Sequence, residues 1–371
     1  MARENTPCCS ICRRDLLAGT GAAATGALAG CLGGSGGDEI PDDADEDFPE
    51  WDPEDPAFPQ RMSTLMDHDT GRIEDIQAFE ERDEPVYGDP VQETPDDEDE
   101  LIDPDTLTFA MTPTEDPAAY EGMFDPLIEN IEAETGRDVE NNLVQNYAAQ
   151  VEAMRSERLH IAGFSTGPLP FAVNLAGAVP FAIQVSEDDA GYYLWAITHM
   201  SNTEIDSVED FAGKDGAHGA PSSNSGNLMP RAIFEDRFDV EPGEDYSVEH
   251  VGSHENLVLT IYHQDHEVAP VCSYCVTRVA ERGDVDADAI KVVWQSDPIV
   301  TTGFSYRYNL PPDVQEGIER AFLEYDYSGT ELAQEFGGRG LFTEIDYATH
   351  WHDVLLTHRA NGVDLTDLGD I

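Results

Sequence analysis

The sequence predicts an α/β fold that begins near Leu107, and three observations support this. Short apolar strands alternate with amphipathic helical patterns from that point to the end of the chain. Apolar residues make up 40% of the 371 residues, which is enough for a sizeable core. No internal repeat interrupts the alternation, so we expect strand–helix–strand units with right-handed crossovers and a parallel sheet.

The order of elements follows from this alternation and from residues that start and stop helices. Asp125-Pro126 fits a helix start, and Gly136 fits its end. The predicted strands are 107–111, 142–144, 160–164, 193–198, 248–251, 268–271, 290–294 and 304–308. The other predicted helices are 147–158, 208–212, 228–238, 256–263, 276–282 and 312–325.

The chain is strongly acidic, with 77 Asp and Glu against 19 Lys and Arg and a formal net charge of −58. Such a surface disfavours binding to nucleic acid or anionic lipid through general charge. An anionic ligand would need a shielded site. The acid excess extends over the folded part as well as the N-terminal region, and this composition is typical of a protein that works in very high salt.

Residues 1–31 predict an export signal and a lipid anchor. Arg13-Arg14 precedes an uncharged Gly/Ala-rich stretch that is shorter than the ~20 apolar residues of a spanning helix. This pattern fits a twin-arginine signal. The stretch closes with Leu28-Ala29-Gly30-Cys31, which resembles a lipobox, so Cys31 is the predicted lipidated residue, and the alternative is a chance cysteine after a signal peptide.

Residues 32–104 are rich in Gly, Pro, Asp and Glu and predict a largely disordered tether. The weak helical periodicity near 73–81 is too faint for an assignment. We expect this segment to hold the folded part away from the membrane. Loosely held cations on its carboxylates are the alternative role.

Several short motifs, taken in order, resemble those of phosphate and phosphonate ABC-transporter substrate-binding proteins. They are Asn146-Tyr147-Ala148, Met154-Arg155, His160-Ile161-Ala162, Gly191-Tyr192-Tyr193, Val208-Glu209-Asp210-Phe211-Ala212-Gly213-Lys214, Pro221-Ser222-Ser223-Asn224-Ser225-Gly226, His254-Glu255-Asn256 and Trp294-Gln295-Ser296. The resemblance covers about residues 107–350 and depends on the collinearity of the motifs.

This resemblance implies a two-lobed venus-flytrap fold of the type II periplasmic-binding-protein kind, with a two-crossover hinge. The first lobe would comprise 105–198 and 303–371, and the second lobe 199–302. The crossings would lie near 197–202 and 301–304.

The string Ser222-Ser223-Asn224-Ser225-Gly226 stands just before a helical pattern. A helix N-terminus offers unpaired N–H groups and a positive dipole end, and the serine hydroxyls add donors. Taken alone, the string is more typical of ordinary helix capping. The resemblance implies that Ser223, Asn224 and Ser225 hold the anion, although Thr is more usual at position 224.

Further candidate ligand residues come from the resemblance and from strand ends. Tyr147 and Tyr192 match positions that donate a phenolic O–H or wall the pocket, and His254 matches a position near the anion. For these residues a core, rim or helix-capping role is the alternative. Strand ends facing the cleft add four hydroxyl side chains, namely Thr112, Thr114, Ser165 and Thr166.

Aminophosphonate binders of the family hold the ammonium group with acidic residues. The corresponding positions here are Tyr274 and Thr302, so we expect a ligand without an amino group. Phosphate, phosphite and short alkylphosphonates fit this expectation.

Two other constellations compete with this interpretation. His263, His266, Cys272 and Cys275 have the residue types of a zinc site, but a local Cys272–Cys275 disulfide or two free thiols fit an exported protein better. Gly163-Phe164-Ser165-Thr166-Gly167 fits the G-x-S-x-G pattern of α/β-hydrolases. No HGGG-type loop precedes it, and Pro168 and Pro170 disfavour a helix directly after the serine.

We therefore expect a monomeric, lipid-anchored solute-binding protein on the outer face of the cytoplasmic membrane. It would deliver a phosphorus oxyanion to an ABC permease and its ATPase, without cofactor, enzymatic activity or nucleic-acid partner. A binding protein for another small anion and a transporter-independent sensor are the alternatives. A Ser165-dependent hydrolase is a more remote one.

Overall fold

The computed structural model of the chain describes residues 48–52, 56–66, 79–114, 122–185, 191–335 and 341–371. These residues belong to one unit that spans residues 40–371. The predicted signal, the lipobox cysteine Cys31 and most of the weak helical pattern at 73–81 lie outside the described residues. Among the helices that are described, none combines the length and the apolar character needed to cross a membrane.

The first lobe is built on a mixed sheet of six strands in the spatial order β14-β5-β13-β4-β2-β3. These strands are β2 (Thr106–Ala110), β3 (Asp138–Asn141), β4 (Ile161–Phe164), β5 (Ala178–Val185), β13 (Gly303–Arg307) and β14 (Leu341–Glu344). Its helices are α2 (Asp125–Thr135), α3 (Tyr147–Arg155), α4 (Leu169–Ala176), α8 (Pro312–Leu323), α9 (Glu331–Glu335), α10 (Tyr347–His350) and α11 (His352–Ala360).

The second lobe is built on another six-stranded sheet, in the order β1-β11-β7-β10-β8-β9. These strands are β1 (Gln60–Arg61), β7 (Leu194–His199), β8 (Asp215–Gly219), β9 (Ser247–Gly252), β10 (Val268–Cys272) and β11 (Ile290–Gln295). Its helices are α1 (Met62–Met66), α5 (Met229–Phe238), α6 (His254–Tyr262) and α7 (Ser273–Glu281).

Both sheets are mixed rather than purely parallel, which differs from the prediction. In the first sheet β2 is parallel to β3 and β4, but β13 is antiparallel to both β4 and β5. The reason is topological: β13 returns from the other lobe and enters the first sheet from the opposite end. Local strand–helix–strand spacing carries no information on such a return.

A two-stranded ribbon joins the lobes, in which β6 (Gly191–Tyr192) pairs antiparallel with β12 (Ile299–Val300). Because β7 already belongs to the second sheet, the first crossing lies before Leu194, earlier than the predicted 197–202. The second crossing lies between β12 and β13 and agrees with the predicted 301–304. Residues 194–198 are thus part of the second lobe.

Two other predicted elements differ from the structure. The second strand is Asp138–Asn141 rather than 142–144, since it pairs in parallel with β2 from Thr106 onward. Helix α4 begins at Leu169 despite its prolines, because Pro168 is the N-cap residue and Pro170 lies in the first turn. Proline is tolerated there, since first-turn N–H groups have no partner inside the helix.

The core of each lobe lies on both faces of its sheet. In the first lobe, Phe109 and Ile161 face one helical layer, while Ala110 and Ala162 face the other, as strand alternation requires. In the second lobe, Trp195 and Ile197 lie on the face opposite to Leu194 and Ala196.

Two described parts of the predicted tether pack on the lobes, which differs from the expectation of a largely disordered segment. Strand β1 extends the second sheet by pairing with β11, and the side chains of Met62 and Leu65 are buried in that lobe's core. These apolar residues stand close to Asp- and Pro-rich sequence, and the composition of the whole segment hid them.

The next described part of this segment packs on the first lobe. Val86 and Val91 contact its core, and the Tyr87 hydroxyl donates a hydrogen bond to the Val363 carbonyl. The N–H of Ile102 donates to the carbonyl of Asn309. Residues 60–66 therefore belong to the second lobe and residues 79–104 to the first, so the chain passes between the lobes a third time before β2.

Met62→Ala tests whether the segment is part of the fold. Burial of Met62 is complete, so we expect a loss of about 2–4 kcal/mol in the free energy of unfolding. Denaturant titration at molar salt measures it. Leu143→Ala is the control, because Leu143 is 53% exposed and should change stability by less than about 0.5 kcal/mol. Equal stability of both variants would mean that the segment does not pack as described.

Candidate functional site

The serine-rich string forms a tight turn between β8 and α5, at the end of a sheet strand that faces the cleft. The turn opens with Ser223, whose Oγ accepts the Gly226 N–H at 3.3 Å. Residues Asn224–Leu228 then form a single wide helical turn that continues into α5. The predicted anion turn is thus the N-terminal turn of a helix, where the helix dipole has its positive end. The N–H groups of Ser223, Gly226, Asn227 and Leu228 are bonded within the turn itself.

Several polar atoms of the cleft are buried without a hydrogen-bond partner. In this turn they are Ser222 Oγ, Asn224 Oδ1 and Ser225 Oγ, and Thr112 Oγ1 at the end of β2 adds a fourth. All four side chains are at most 4% exposed. Leaving such a group unsatisfied costs about 1–3 kcal/mol, so their concentration in one place indicates a site for a polar ligand.

Tyr147 connects the first lobe to the turn. It is the first residue of α3, which Asn146 caps by accepting the Ala149 N–H at 2.8 Å. Its buried hydroxyl lies against the side chains of Ser165 in the first lobe and Ser223 in the second. Burial raises the pKa of Tyr147 to about 12, so the phenol keeps its proton and remains a donor.

Tyr192 occupies the hinge ribbon and makes a similar bridge. Its hydroxyl lies against Thr166, Asn224 and Ser225, and Asn224 Nδ2 donates to it at 3.4 Å. Burial raises the pKa of Tyr192 as well. The Thr166 hydroxyl donates to the Val300 carbonyl at 3.0 Å, so this predicted ligand residue holds the hinge strand instead of offering its proton to a ligand.

His254 lies behind the turn, at the first position of α6. Its Nδ1 accepts the backbone N–H of Cys272 at 3.2 Å, and its Nε2 is 3.1 Å from Ser223 Oγ. Desolvation lowers the pKa of His254 to about 4, so the ring is neutral at ordinary pH. Because Nδ1 accepts, the single ring proton is on Nε2 and is donated to Ser223. The Ser223 hydroxyl therefore points its own hydrogen elsewhere.

Among the described residues that cluster around the turn, none carries a formal charge. The turn, both tyrosines and neutral His254 offer donors without a formal positive charge. Three buried basic side chains among the described residues have other partners. Lys291 pairs with Asp206 at 2.8 Å, Arg307 donates to the carbonyls of Met154 and Ala176, and Arg278 donates to the Tyr274 hydroxyl at 3.1 Å.

The zinc alternative is contradicted. Cys272 and Cys275 are joined as a disulfide at the start of α7. His266 Nδ1 is 2.7 Å from Thr260 Oγ1, and His263 is exposed at the end of α6. Within the residues that the structure describes, no group of three or more His, Cys, Asp or Glu could hold a metal ion.

The hydrolase constellation does not assemble either. The described hydrogen bonds of His254 go to Cys272 and Ser223, while Ser165 faces Tyr147. A histidine whose Nε2 carries the proton cannot take a proton from a serine there. The argument from prolines holds, since α4 begins only at Leu169, four residues after Ser165, and the described contacts of His254 do not include Ser165.

The two positions that distinguish aminophosphonate binders bring no carboxylate. The Tyr274 hydroxyl accepts a hydrogen bond from Arg278 Nη1 at 3.1 Å, and the guanidinium lies 4.6 Å from the ring centroid. The methyl group of Thr302 packs beside Gly163.

Most predicted ligand residues therefore meet in one cluster: Tyr147, Tyr192, Ser165, Ser223, Asn224, Ser225 and His254. Thr114 is buried near the cleft, and its N–H donates to the Thr112 carbonyl. Sequence reasoning missed Ser222 as a candidate, although it belongs to the same string. The resemblance pointed to Ser223, Asn224 and Ser225 as ligand residues, and only the unpartnered hydroxyl in the structure identifies Ser222 as a further candidate.

Two lobes that meet over a buried cluster of uncharged donors define a ligand-capturing protein of the two-lobed binding-protein class. Residues 109–351 match the family described as the phosphonate periplasmic substrate-binding protein of ABC transporters. The chain belongs to this family, which is a family of solute-binding proteins and not of enzymes.

Relatives and solved structures agree with this placement. The phosphate-import protein PhnD of Mycolicibacterium smegmatis is 28% identical over 233 residues, which cover 60% of this chain and 72% of the relative. The phosphonates-binding periplasmic protein of Escherichia coli K12 is 22% identical over 231 residues, covering 61% and 68%. PhnD1 of Prochlorococcus marinus, solved with methylphosphonate, has a TM-score of 0.62 at 14% identity and covers 70% of this chain and 98% of its own. The last likeness concerns the fold alone.

His254→Gln tests the neutral, buried histidine. A folded-state pKa near 4 lies below the unfolded value of about 6.5, so the unfolded chain binds more protons between these pH values. Stability should therefore fall by about 3 kcal/mol from this group as the pH drops from 6.5 to 4. The variant should show a shallower decline in denaturant titrations across this window.

The exposed residue His263 provides the matched control, as His263→Gln should retain the wild-type slope. If His254→Gln kept that slope too, His254 would not be held neutral in the fold.

Proposed function

We propose that the protein binds a phosphorus oxyanion that carries no amino group: phosphate, phosphite or a short alkylphosphonate. The observation that supports this most is the set of buried, unpartnered polar atoms around Ser222, Asn224 and Ser225. A tetrahedral oxyanion would accept hydrogen bonds from the serine hydroxyls, the N–H groups of Asn224 and Ser225 and the two tyrosines. The names of the relatives support the same class of ligand.

One of these atoms is an acceptor, which adds selectivity among oxyanions. Asn224 Oδ1 is buried and has no partner, while Asn224 Nδ2 donates to Tyr192 and to the sulfur of Met229. A phosphorus oxyanion that retains one P–OH can donate to this oxygen. Sulfate has no proton to donate at neutral pH and would place an anionic oxygen against it. The site should therefore prefer the protonated phosphorus anion.

The side of the site near Tyr274 disfavours an ammonium group. Aminophosphonates would need a carboxylate there, and Tyr274 instead carries the guanidinium of Arg278 against its ring. An ammonium group in this place would meet the Arg278 guanidinium, and neither position 274 nor position 302 supplies a carboxylate to offset its desolvation.

Calorimetry on the purified protein at molar salt tests the ligand class. We expect binding of phosphate, phosphite and methylphosphonate, and at least tenfold weaker binding of 2-aminoethylphosphonate, sulfate and nitrate. Ser225→Ala should lower the affinity for the best ligand by roughly 10- to 100-fold, because a hydrogen bond to a charged group is lost.

Ser328→Ala is the matched control, since Ser328 is an exposed serine in a turn of the first lobe. Its affinity should equal that of the wild type. Preferred binding of 2-aminoethylphosphonate or of sulfate would overturn the proposal, and so would an unchanged affinity in Ser225→Ala.

We further propose that the protein is exported by the twin-arginine route, is lipid-anchored through Cys31 and acts as a monomer in high salt. The Arg13-Arg14 pair, the lipobox and the charge of −58 support this. The described fold shortens the tether, because Trp51 and Phe58 already pack against the core of the second lobe. A lipidated Cys31 would thus hold the binding lobes close to the membrane and to a permease.

Cys31→Ser should release the protein from the membrane fraction into the soluble extracellular fraction, because the acceptor thiol of the lipid is lost. Replacing Arg13 and Arg14 by Lys should retain it inside the cell. Fractionation and immunoblotting measure both results. Cys12→Ser is the control and should stay in the membrane fraction. Membrane retention of the Cys31 variant would contradict the anchor.

A further inference from the structure

In the G-x-S-x-G string at 163–167, Ser165 contacts Tyr147 and Thr166 holds the hinge strand, but the glycine that ends the string has no role so far. This glycine, Gly167, lies in the first lobe directly after β4, where it faces the anion turn of the second lobe. A Cβ atom added there would lie 2.0 Å from the Ser222 carbonyl oxygen and 2.7 Å from the Asn224 nitrogen. Both are backbone atoms, so no side chain can turn away to make room.

The turn that carries Gly167 is fixed from behind. The indole N–H of Trp351 donates to the Thr166 carbonyl at 2.9 Å, and His358 Nε2 lies 2.9 Å from the Gly167 carbonyl. The side chains of Thr166, Trp351 and His358 are all buried. The backbone at Gly167 is therefore held by the C-terminal helices and cannot easily retreat from the second lobe.

A second cross-lobe contact lies beside the first. Asn361 Nδ2 donates to the Leu228 carbonyl at 3.0 Å, and the side chain of Leu228 is buried in the core cluster of the first lobe. The anion turn of the second lobe is thus docked on the first lobe at both of its ends, near Ser222 and at Leu228.

We propose that Gly167 determines closure of the lobes: the absence of a side chain at this position lets the backbone of the first lobe reach the anion turn. This contact brings Tyr147 and Ser165 up to Ser223, so a ligand can be held by both lobes at once. With a methyl group at position 167 the lobes stop roughly 1 Å short, which lengthens the hydrogen bonds from the first lobe. The proposal builds on the proposed anion site but does not depend on phosphorus as its element.

Gly167→Ala tests closure directly. Small-angle X-ray scattering on the purified protein at molar salt is recorded without ligand and with methylphosphonate, inorganic phosphate or sulfate. We expect wild type to show the compact radius of gyration with the anion that it binds, and Gly167→Ala to remain expanded. Its affinity for that anion should fall at least tenfold, with an unchanged melting temperature in the absence of ligand, because the open form relieves the clash.

Gly369→Ala is the matched control, since its Cβ would approach only the exposed Asp367 side chain, at 3.2 Å. It should close and bind like wild type. Asn361→Ala removes one cross-lobe hydrogen bond without adding bulk and should weaken binding by only a few-fold. The expected loss of affinity is therefore absent in Gly369→Ala, small in Asn361→Ala and large in Gly167→Ala. If Gly167→Ala merely damaged the first lobe, its melting temperature would fall as well.

The outcomes separate this proposal from the proposed ligand. If wild type contracts only with sulfate, the ligand class is wrong, yet Gly167 is still tested by whether its alanine variant contracts. If wild type is compact without any anion, Gly167→Ala must be larger than wild type in that state. A variant that matches wild type in size and affinity overturns the role of Gly167.

Discussion

The structure depends on one constraint: a polar turn must be buried between two lobes without a counter-charge. Ser222, Asn224 and Ser225 leave hydrogen-bonding atoms unsatisfied, at a cost of about 1–3 kcal/mol each. The fold holds these groups in place by packing them from both sides, with His254 behind the turn and Tyr147 in front. In the proposed function, such preorganised donors would bind an anion without rearranging, and the hydrogen bonds that are unmade in the folded protein would form on binding.

Local patterns in the sequence were sufficient for much of the site. A serine string before a helical pattern, a capped helix starting at Tyr147 and a histidine at the next helix start are features that neighbouring residues encode. They were found because hydrogen bonding within one turn decides them. The orientation of His254 was not accessible in this way, since it is set by Cys272, a residue 18 positions away.

The errors share a physical origin in long-range pairing. Residues 60–61 were assigned to a tether because acidic, proline-rich neighbours dominate the composition, yet two residues suffice to extend a sheet whose edge is offered by β11. The first crossing was misplaced since Leu194–His199 has the same apolar pattern in either lobe. Only its partners, β10 and β11, decide to which sheet the strand belongs.

A net negative charge on the protein is compatible with an anionic ligand, because repulsion between them weakens with distance and with salt. Repulsion between an acidic surface and an anion acts over a Debye length, which shrinks to about 3 Å at 1 M salt. In a closed cleft the donors would act on a bound anion at hydrogen-bonding distance and without intervening water. A lysine or arginine in the site would strengthen binding of every anion alike, whereas hydroxyls, amides and the one acceptor of Asn224 respond to where the ligand carries its proton. An uncharged site therefore sacrifices long-range attraction, which high salt would screen anyway, and retains the short-range contacts that distinguish one oxyanion from another.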